Sequence, residues 1–382
     1  MRVVLTSYGS TGDIEPFLAL ASELRCHGHA VTLALVPYFG PRVRQLGVEF
    51  VPIGPDVPAQ EFTWNWLYRS PQDIAAGVER LFDDLRAACA GNDLLISSAE
   101  QPMARAVHDL TQIPYVSIRL IHPPAPPFEQ SPREQIMAAL VNSLRSRFKL
   151  PRLRYPLTAD SHSPQLALYA LSRTFLQPAP EWPAHHHVTG FIISEEPAGT
   201  PDPALMQFLA AGEPPVVVSL GSAVYKDPAA LTEVLLAAIA RVGCRVVVQQ
   251  GWAGLAQRQQ ALPNVHIVDY IPHSWLFPHA SCVITHGGLG TMVRSFLSGV
   301  PVIGIPHMEE TAISMRYAAQ LGGVGATLWH EDVSAEALAD GIIETLRNPR
   351  YRAAARELGQ AIVAEQGVQT ARRLVEHYMA TR

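Results

Sequence analysis

Short apolar runs alternate with helical patterns along the first half of this chain. "RVVLTS" reads as a strand, and Ile14, Phe17, Leu18, Ala21 and Leu24 then recur at helical spacing, predicting a helix over Asp13–His27. "AVTLAL" is a second strand, "PRVRQLG" a short helix ended by Gly47, and "VEFVPI" a third strand. "DLLISS" and "YVSIRL" continue the series, with a helical "QPMARAVHDLT" between them. Strands that alternate with helices imply parallel βαβ units with right-handed crossovers.

Proline then interrupts the pattern. Residues 121–133, "IHPPAPPFEQSPR", are predicted to hold no regular structure, and two more proline-rich segments flank "VTGFI". A domain boundary is placed there, near residue 195, giving an N-terminal domain over 1–195 and a C-terminal domain over 196–382, with the last helix free to cross back. Beyond it the alternation restarts: strands at "VVVSLGS", "RVVVQQG", "VHIVDYI", "ASCVITH" and "VPVIGIP", helices at "AALTEVLLAAIARVG" and "GTMVRSFLSG", then helical stretches to the C-terminus. The expected fold is α/β, two Rossmann-like doubly wound domains facing a central cleft. Ligands in such sheets sit at the carboxyl ends of the strands, so two facing halves suit two substrates.

Composition narrows the picture. Of 382 residues 48% are hydrophobic and 16% charged, the net charge is -5, and no basic block appears, so a soluble protein without a nucleic-acid footprint is expected. The four cysteines, Cys26, Cys89, Cys244 and Cys282, have no paired spacing and read as reduced structural thiols. "MRVVLTSYGS" lacks the features of a signal peptide, and no apolar run approaches the roughly 18 residues of a membrane span. A cytoplasmic location is expected, with peripheral membrane contact left open.

The candidate chemistry lies in "VITHGGLGTMVRSFLSGVPVIGIP", residues 283–306. Glycines at 287, 288 and 290 let backbone approach a ligand closely, and the helix that follows offers unpaired N–H groups and a positive dipole end. His286 can donate to a phosphate oxygen and Thr291 can add a hydroxyl. The pattern suits a phosphate cradle, most simply for a diphosphate; a plain strand-to-helix turn beside a buried histidine is the other reading. Neither G-x-G-x-x-G nor a Walker lysine loop is present. Asp13, in "GSTGDIEP", stands where the first strand gives way to a helix. Helix N-cap and general base are both open to it, and the roles are compatible.

The run from Asp269 to Pro306 resembles the donor-binding signature of family 1 glycosyltransferases of the GT-B fold, especially bacterial antibiotic and sterol glycosyltransferases. "VVLTSYGSTGDIEPFLALASELRCHGHAVTLA" resembles their N-terminal segment, and "WPAHHHVTGF" the approach to their linker. The resemblance implies inverting transfer of a sugar from a nucleotide sugar, UDP- or dTDP-linked, to a hydroxyl of a largely apolar acceptor: a polyketide, glycopeptide, sterol or lipid. It implies donor binding in the C-terminal half and acceptor binding in the N-terminal half. His286 matches the histidine on the donor diphosphate, Gly288, Gly290 and Thr291 the turn that holds the same group, and Ser222 a second phosphate-contacting loop. Asp13 matches the catalytic base of the glycopeptide-antibiotic and sterol branches; at an ordinary pKa of about 4 it would need partial desolvation. No metal and no cofactor beyond the sugar nucleotide are expected, since no D-x-D pair stands where a metal-dependent transferase would want one.

The chain also departs from that family. Where members carry Asp-Gln on the donor sugar, it has Glu310 and Thr311; the resemblance implies that this pair orients the sugar, and the change leaves the sugar's identity open. Tyr270 stands where the plant branch stacks a tryptophan on uracil and can stack too. Arg294 replaces the plant ribose-binding glutamate. Trp252 and Trp275 are candidates for the base or the core, Trp275 leaning to the core. His122 and Glu100 follow strands and are candidates to face the cleft, His122 as a second base or an acceptor contact. Trp64 and Trp66, with Phe62 and Tyr68, suit an apolar acceptor surface or a packed helix. His185–His187 read as a surface strand end rather than a metal site. Two rival functions remain: a sugar-nucleotide epimerase on the same architecture, and a non-catalytic nucleotide-sugar-binding auxiliary protein.

Overall fold

The computed structural model describes residues 1–56, 71–101, 103–122, 132–156, 159–178, 180–194, 196, 202–223, 225, 227–252, 254–256 and 262–382. The chain divides into two compact units, Met1–Ser194 with Glu365–Arg382, and Glu195–Ala364.

The first unit is built on β1 (Arg2–Thr6), α1 (Thr11–Cys26), β2 (Ala30–Leu35), α2 (Gly40–Gln45), β3 (Glu49–Pro52), α3 (Pro71–Cys89), β4 (Leu94–Ser98), α4 (Ala104–Thr111), β5 (Tyr115–Arg119), α5 (Pro132–Arg147), β6 (Leu166–Tyr169) and β7 (His186–Val188). Its seven strands run in the order β3-β2-β1-β4-β5-β6-β7, every neighbouring pair parallel. β1, β4 and β5 are buried almost end to end, as continuous apolar runs must be when helices cover both faces of a parallel sheet. The order reverses between β1 and β4, and that switch point is where the segment after β1 emerges.

Two expectations change here. α5 begins at Pro132, so the proline-rich stretch gives way to helix before 133: proline fits the first helical position, where its missing N–H costs nothing. His186 and His187 of the triple histidine open edge strand β7, and His185 precedes it. His186 packs against Tyr169, Trp182 and His162, and its Nδ1 lies 3.1 Å from the Tyr169 hydroxyl. The run thus stands at a strand end, as expected, but is half-buried.

The second unit contains α6 (Pro203–Ala210), β8 (Val216–Ser219), α7 (Pro228–Val242), β9 (Val246–Gln249), β10 (Val265–Val268), α8 (His273–Leu276), β11 (Cys282–Thr285), α9 (Leu289–Leu297), β12 (Val302–Gly304), α10 (Glu309–Gln320), β13 (Val324–Thr327) and α11 (Ala335–Arg347); α12 (Pro349–Glu365) closes it. Six parallel strands run β10-β9-β8-β11-β12-β13, again reversing beside the first strand, here between β8 and β11. Val216, Val218, Ile284 and Ile303 pack with Leu235, Ile239, Leu338 and Ile342 of α7 and α11 in its core. β13 corrects the expectation of uninterrupted helix after "VPVIGIP". "VGAT" is too short and too small for a strand signature, and its pairing with β12 decides its state.

The last helix, α13 (Gly367–Ala380), packs on the first unit. Arg372 bonds Glu23 of α1 at 3.0 Å, Glu376 lies 3.0 Å from His29, and Tyr378 donates to Gln165 at 2.6 Å. Glu365 just before it accepts from Ser172 Oγ and the Arg173 N–H. The four cysteines are free thiols; burial pushes Cys89 and Cys282 up to about 12, which suits inert core residues. Among the described residues no helix is long and apolar enough to cross a membrane.

Candidate active site

In the second unit the turns after β8, β9 and β11 meet at the switch point. Gly221 has φ +56°, and a Cβ there would lie 3.4 Å from His286 Cε1 and 3.7 Å from Thr291 Oγ1. Gly251, φ +58°, brings its backbone so close that a Cβ would sit 2.6 Å from the Gly221 carbonyl oxygen, which also accepts from the Trp252 N–H at 3.1 Å. Ser222 follows Gly221 at this rim, half-buried.

Each glycine of the β11 turn has a separate reason. Gly287 adopts φ +86°, and a Cβ would lie 2.7 Å from Met315 Cγ and 2.9 Å from the Thr311 carbonyl oxygen of α10. Gly288 caps α9, and the His286 ring folds over it so closely that a Cβ would fall 2.3 Å from Nε2. Gly290 is different: it is exposed, in the first turn of α9, and beyond its own helix and chain neighbours no atom of the described residues lies within 4 Å of where a Cβ would be. Nothing in the fold itself requires glycine there, and a ligand approaching the unpaired N–H groups of α9 would. Gly290→Ala is therefore expected to hold or raise the melting temperature, because alanine favours helix by about 1 kcal/mol. It should also weaken nucleotide binding. Unchanged affinity in a binding titration would mean that this opening is not used.

His286 is half-buried, and its Nδ1 is buried with no hydrogen-bond partner among the described residues. Burial, with the neighbouring His307 and His273, pushes its pKa down to about 3, so the ring is neutral at pH 7 and donates through one nitrogen. Thr291 is buried at the start of α9. A polar layer supports the turns from below. Ser219 Oγ lies 3.0 Å from His273 Nε2 and 3.2 Å from Gln249 Oε1, while Gln249 Nε2 donates to the Ile271 carbonyl. His273 stacks on Phe277 and is held down to about 4, burial being the main cause.

The structure therefore brings Ser222, His286, Gly288, Gly290 and Thr291 together. The other donor-side candidates are placed less simply. Tyr270 is 57% exposed, and its hydroxyl donates to Glu196 at 3.2 Å. Glu196 also accepts the Ser274 N–H at 2.7 Å and pairs with the buried Arg294 at 3.5 Å. Burial opposes the charge of Glu196, but Arg294, Ser274 and His273 together hold its pKa below the usual range. Sequence reasoning missed this carboxylate, which enters from a remote part of the chain. Glu310 is exposed in the first turn of α10. The Thr311 hydroxyl donates to the Met308 carbonyl at 2.8 Å, so it shapes its own turn. Trp275 is half-buried against His279 rather than in the core, and Trp252 is half-buried at the rim.

In the first unit, Asp13 lies at the switch point of that sheet. Ser10, not Asp13, is the N-cap of α1; Asp13 stands three residues on and reaches back in capping-box fashion. Its Oδ2 accepts from the Ser10 N–H at 2.7 Å and from Ser10 Oγ at 3.1 Å, and Ser7 Oγ donates to its carbonyl at 2.8 Å. Gly9, φ +133°, makes room for that carboxylate: a Cβ there would lie 2.2 Å from Oδ2. Asp13 is half-buried. His122 is buried, with Nε2 3.3 Å from the Phe175 carbonyl oxygen, and burial lowers its pKa. Glu100 accepts from Ser98 Oγ and pairs with buried Arg119 at 3.3 Å. Trp64 and Trp66, with Phe62 and Tyr68, lie outside the described residues. No group of three or more His, Cys, Asp or Glu among the described residues is arranged to hold a metal ion.

Comparison with known proteins identifies the family. Residues 3–120 match the glycosyltransferase family 28 N-terminal domain, and residues 233–376 the erythromycin biosynthesis protein CIII-like C-terminal domain. The O-mycaminosyltylonolide 6-deoxyallosyltransferase of Streptomyces fradiae is 29% identical over 100% of this chain and 98% of its own. A sterol 3-beta-glucosyltransferase of Aspergillus fumigatus is 26% identical over 97% of this chain, which spans 29% of that longer protein. Among solved structures, the glycosyltransferase VinC in complex with dTDP superposes with a TM-score of 0.71 at 20% identity, covering 100% of both chains. With both halves matched in order, and a transferase aligned from end to end, this chain belongs to the family 1 glycosyltransferases of the GT-B fold.

Proposed function

We propose that the protein transfers a sugar from a UDP- or dTDP-sugar to a hydroxyl of a largely apolar acceptor, with inversion and without a metal or other cofactor. The observation that carries this reading is the meeting of the turns after β8, β9 and β11 at the switch point of the second sheet, with a neutral histidine among them and an open helix N-terminus beside it. As the glycosidic bond breaks, negative charge grows on the leaving diphosphate. Fixed N–H donors and a helix dipole stabilise charge that develops there, with no reorganisation at the moment of reaction. His286, Gly288, Gly290, Thr291 and Ser222 are assigned to that group, Glu310 to the sugar, and Tyr270 to the nucleoside, whose base its exposed ring could stack.

Asp13 is assigned as the base. The acceptor oxygen attacks the anomeric carbon, the carbon–oxygen bond to the diphosphate breaks, and the hydroxyl proton passes to the carboxylate. An apolar acceptor fits the relatives, named for a tylonolide-type and a sterol substrate. Those names also leave the epimerase and auxiliary readings unfavoured.

Thermal melting with dTDP, UDP and GDP, and NAD as control, tests the donor site. A nucleotide at a hundred times its Kd should stabilise the fold by about 2.7 kcal/mol. A shift with one nucleoside diphosphate and none with NAD is expected. No shift with any of the three would overturn the cradle assignment.

A further inference from the structure

Three neighbouring strands of the second sheet each deliver a histidine just past their carboxyl ends. His286 follows β11, His307 follows β12 and His330 follows β13. Parallel register aligns them: Thr285 pairs with Gly304, and Gly304 with Thr327. The Ile305 N–H donates to the Thr285 carbonyl at 2.7 Å and the His330 N–H to the Pro306 carbonyl at 3.1 Å, tying the three segments together. The ring centroids are 5.9 Å apart from His286 to His307 and 6.4 Å from His307 to His330. All three Nδ1 atoms are buried with no hydrogen-bond partner among the described residues. One orphaned buried nitrogen is costly, and three in a row beside a candidate ligand site call for a ligand that satisfies them.

We propose that His307, with His330 behind it, extends the anion cradle of His286, and that the His286–His307 pair takes up a proton when a nucleoside diphosphate binds. The inference rests on the donor-site reading above. The groups around the row supply little compensating charge. His273 and His307 act on His286, and His330 acts on His307. Tyr225, 5.1 Å from the His307 ring, is a neutral donor whose hydroxyl is engaged by the Ile305 carbonyl, and burial raises its pKa. Glu331 lies 3.9 Å from His330 Nε2 and is largely exposed, and Glu309 and Glu310 are carboxylates of the first turn of α10.

Without ligand, burial and mutual repulsion hold His286 near 3 and His307 near 4, so both are neutral at pH 7. A diphosphate brings at least two negative charges beside them and favours the imidazolium form. Repulsion between the two adjacent rings limits the His286–His307 pair to one shared proton, drawn from the buffer. Folded, ligand-free values are low and the bound value is raised, so binding tightens as pH falls between the two. The gain is lost as pH rises through the bound value.

The experiment is calorimetric titration of whichever of dTDP and UDP binds, from pH 8.5 to 6, in two buffers of different ionisation enthalpy. Wild type, His307→Gln and His307→Asn are compared, the two amides standing in for either ring nitrogen. The nucleotide's own ionisation is common to all three proteins and cancels. Wild type should take up more protons than the variants, and its affinity should rise more steeply as pH falls, by up to about tenfold per pH unit. Equal proton uptake in wild type and both variants would sink the role of the row and leave the donor site standing. Failure of both nucleotides to bind wild type would bring down both.

Discussion

Asp13→Asn is expected to lower the rate of transfer by about 10²- to 10⁴-fold, the usual contribution of a positioned general base, while the protein melts close to wild type. The structure makes asparagine the informative substitution. Asp13 Oδ2 accepts from the Ser10 N–H and Ser10 Oγ, in the space that Gly9 leaves by having no side chain. An amide oxygen can accept the same two bonds but cannot take the acceptor's proton at neutral pH. Alanine would remove both functions, adding the loss of the carboxylate's capping-box bonds to Ser10. Measuring kcat and Tm for both variants separates the roles. Near wild-type kcat in Asp13→Asn would assign Asp13 to the helix start alone, and the base would have to be sought elsewhere.

A second large effect is expected on acidification. Burial is the main cause holding His162 near 2, His286 near 3, and His186, His273 and His307 near 4. Their unfolded value is about 6.5. Above that pH neither state is protonated, and these groups leave stability unchanged. Below it the unfolded chain binds protons that the folded chain refuses, so stability falls by about 1.4 kcal/mol per pH unit for each group. The fall continues until pH reaches the folded values. Neighbours in the imidazole row are coupled, so their losses do not simply add. Glu196, held below its usual range in the same unit, adds a further loss at lower pH. Urea unfolding at intervals from pH 7.5 to 4.5 should show a steady drop beginning near 6.5. A flat profile over that range would mean that these rings open to solvent. Bound nucleotide should soften the drop if the His286–His307 pair accepts a proton from buffer.

Most of the fold was legible because a parallel sheet writes itself locally. Strands buried on both faces are continuous apolar runs, as in β1, β8 and β11, and the helices between them show the 3.6-residue period. The glycines of the β11 turn were legible for the same reason, since positive φ and close backbone approach exclude other residues wherever the segment lies. Gly290 was legible too, although its reason proved to be open space rather than a tight turn.

What the sequence by itself determined was therefore the alternation of elements, the family, and the two segments that carry Asp13 and His286. What only the tertiary structure decided depends on partners distant in the chain. β6, β7 and β13 are three or four residues long and become strands through a neighbour's hydrogen bonds. Ser10 displaced Asp13 as N-cap because the turn after β1 aims that carboxylate backwards. Glu196 met Arg294 and Tyr270 across some 75–100 residues. His307 and His330, each unremarked on its own, lie in one row with His286 because parallel pairing sets three strand ends side by side. Local patterning encodes which segments are buried; strand order and register encode which side chains meet, and no single stretch of sequence carries that.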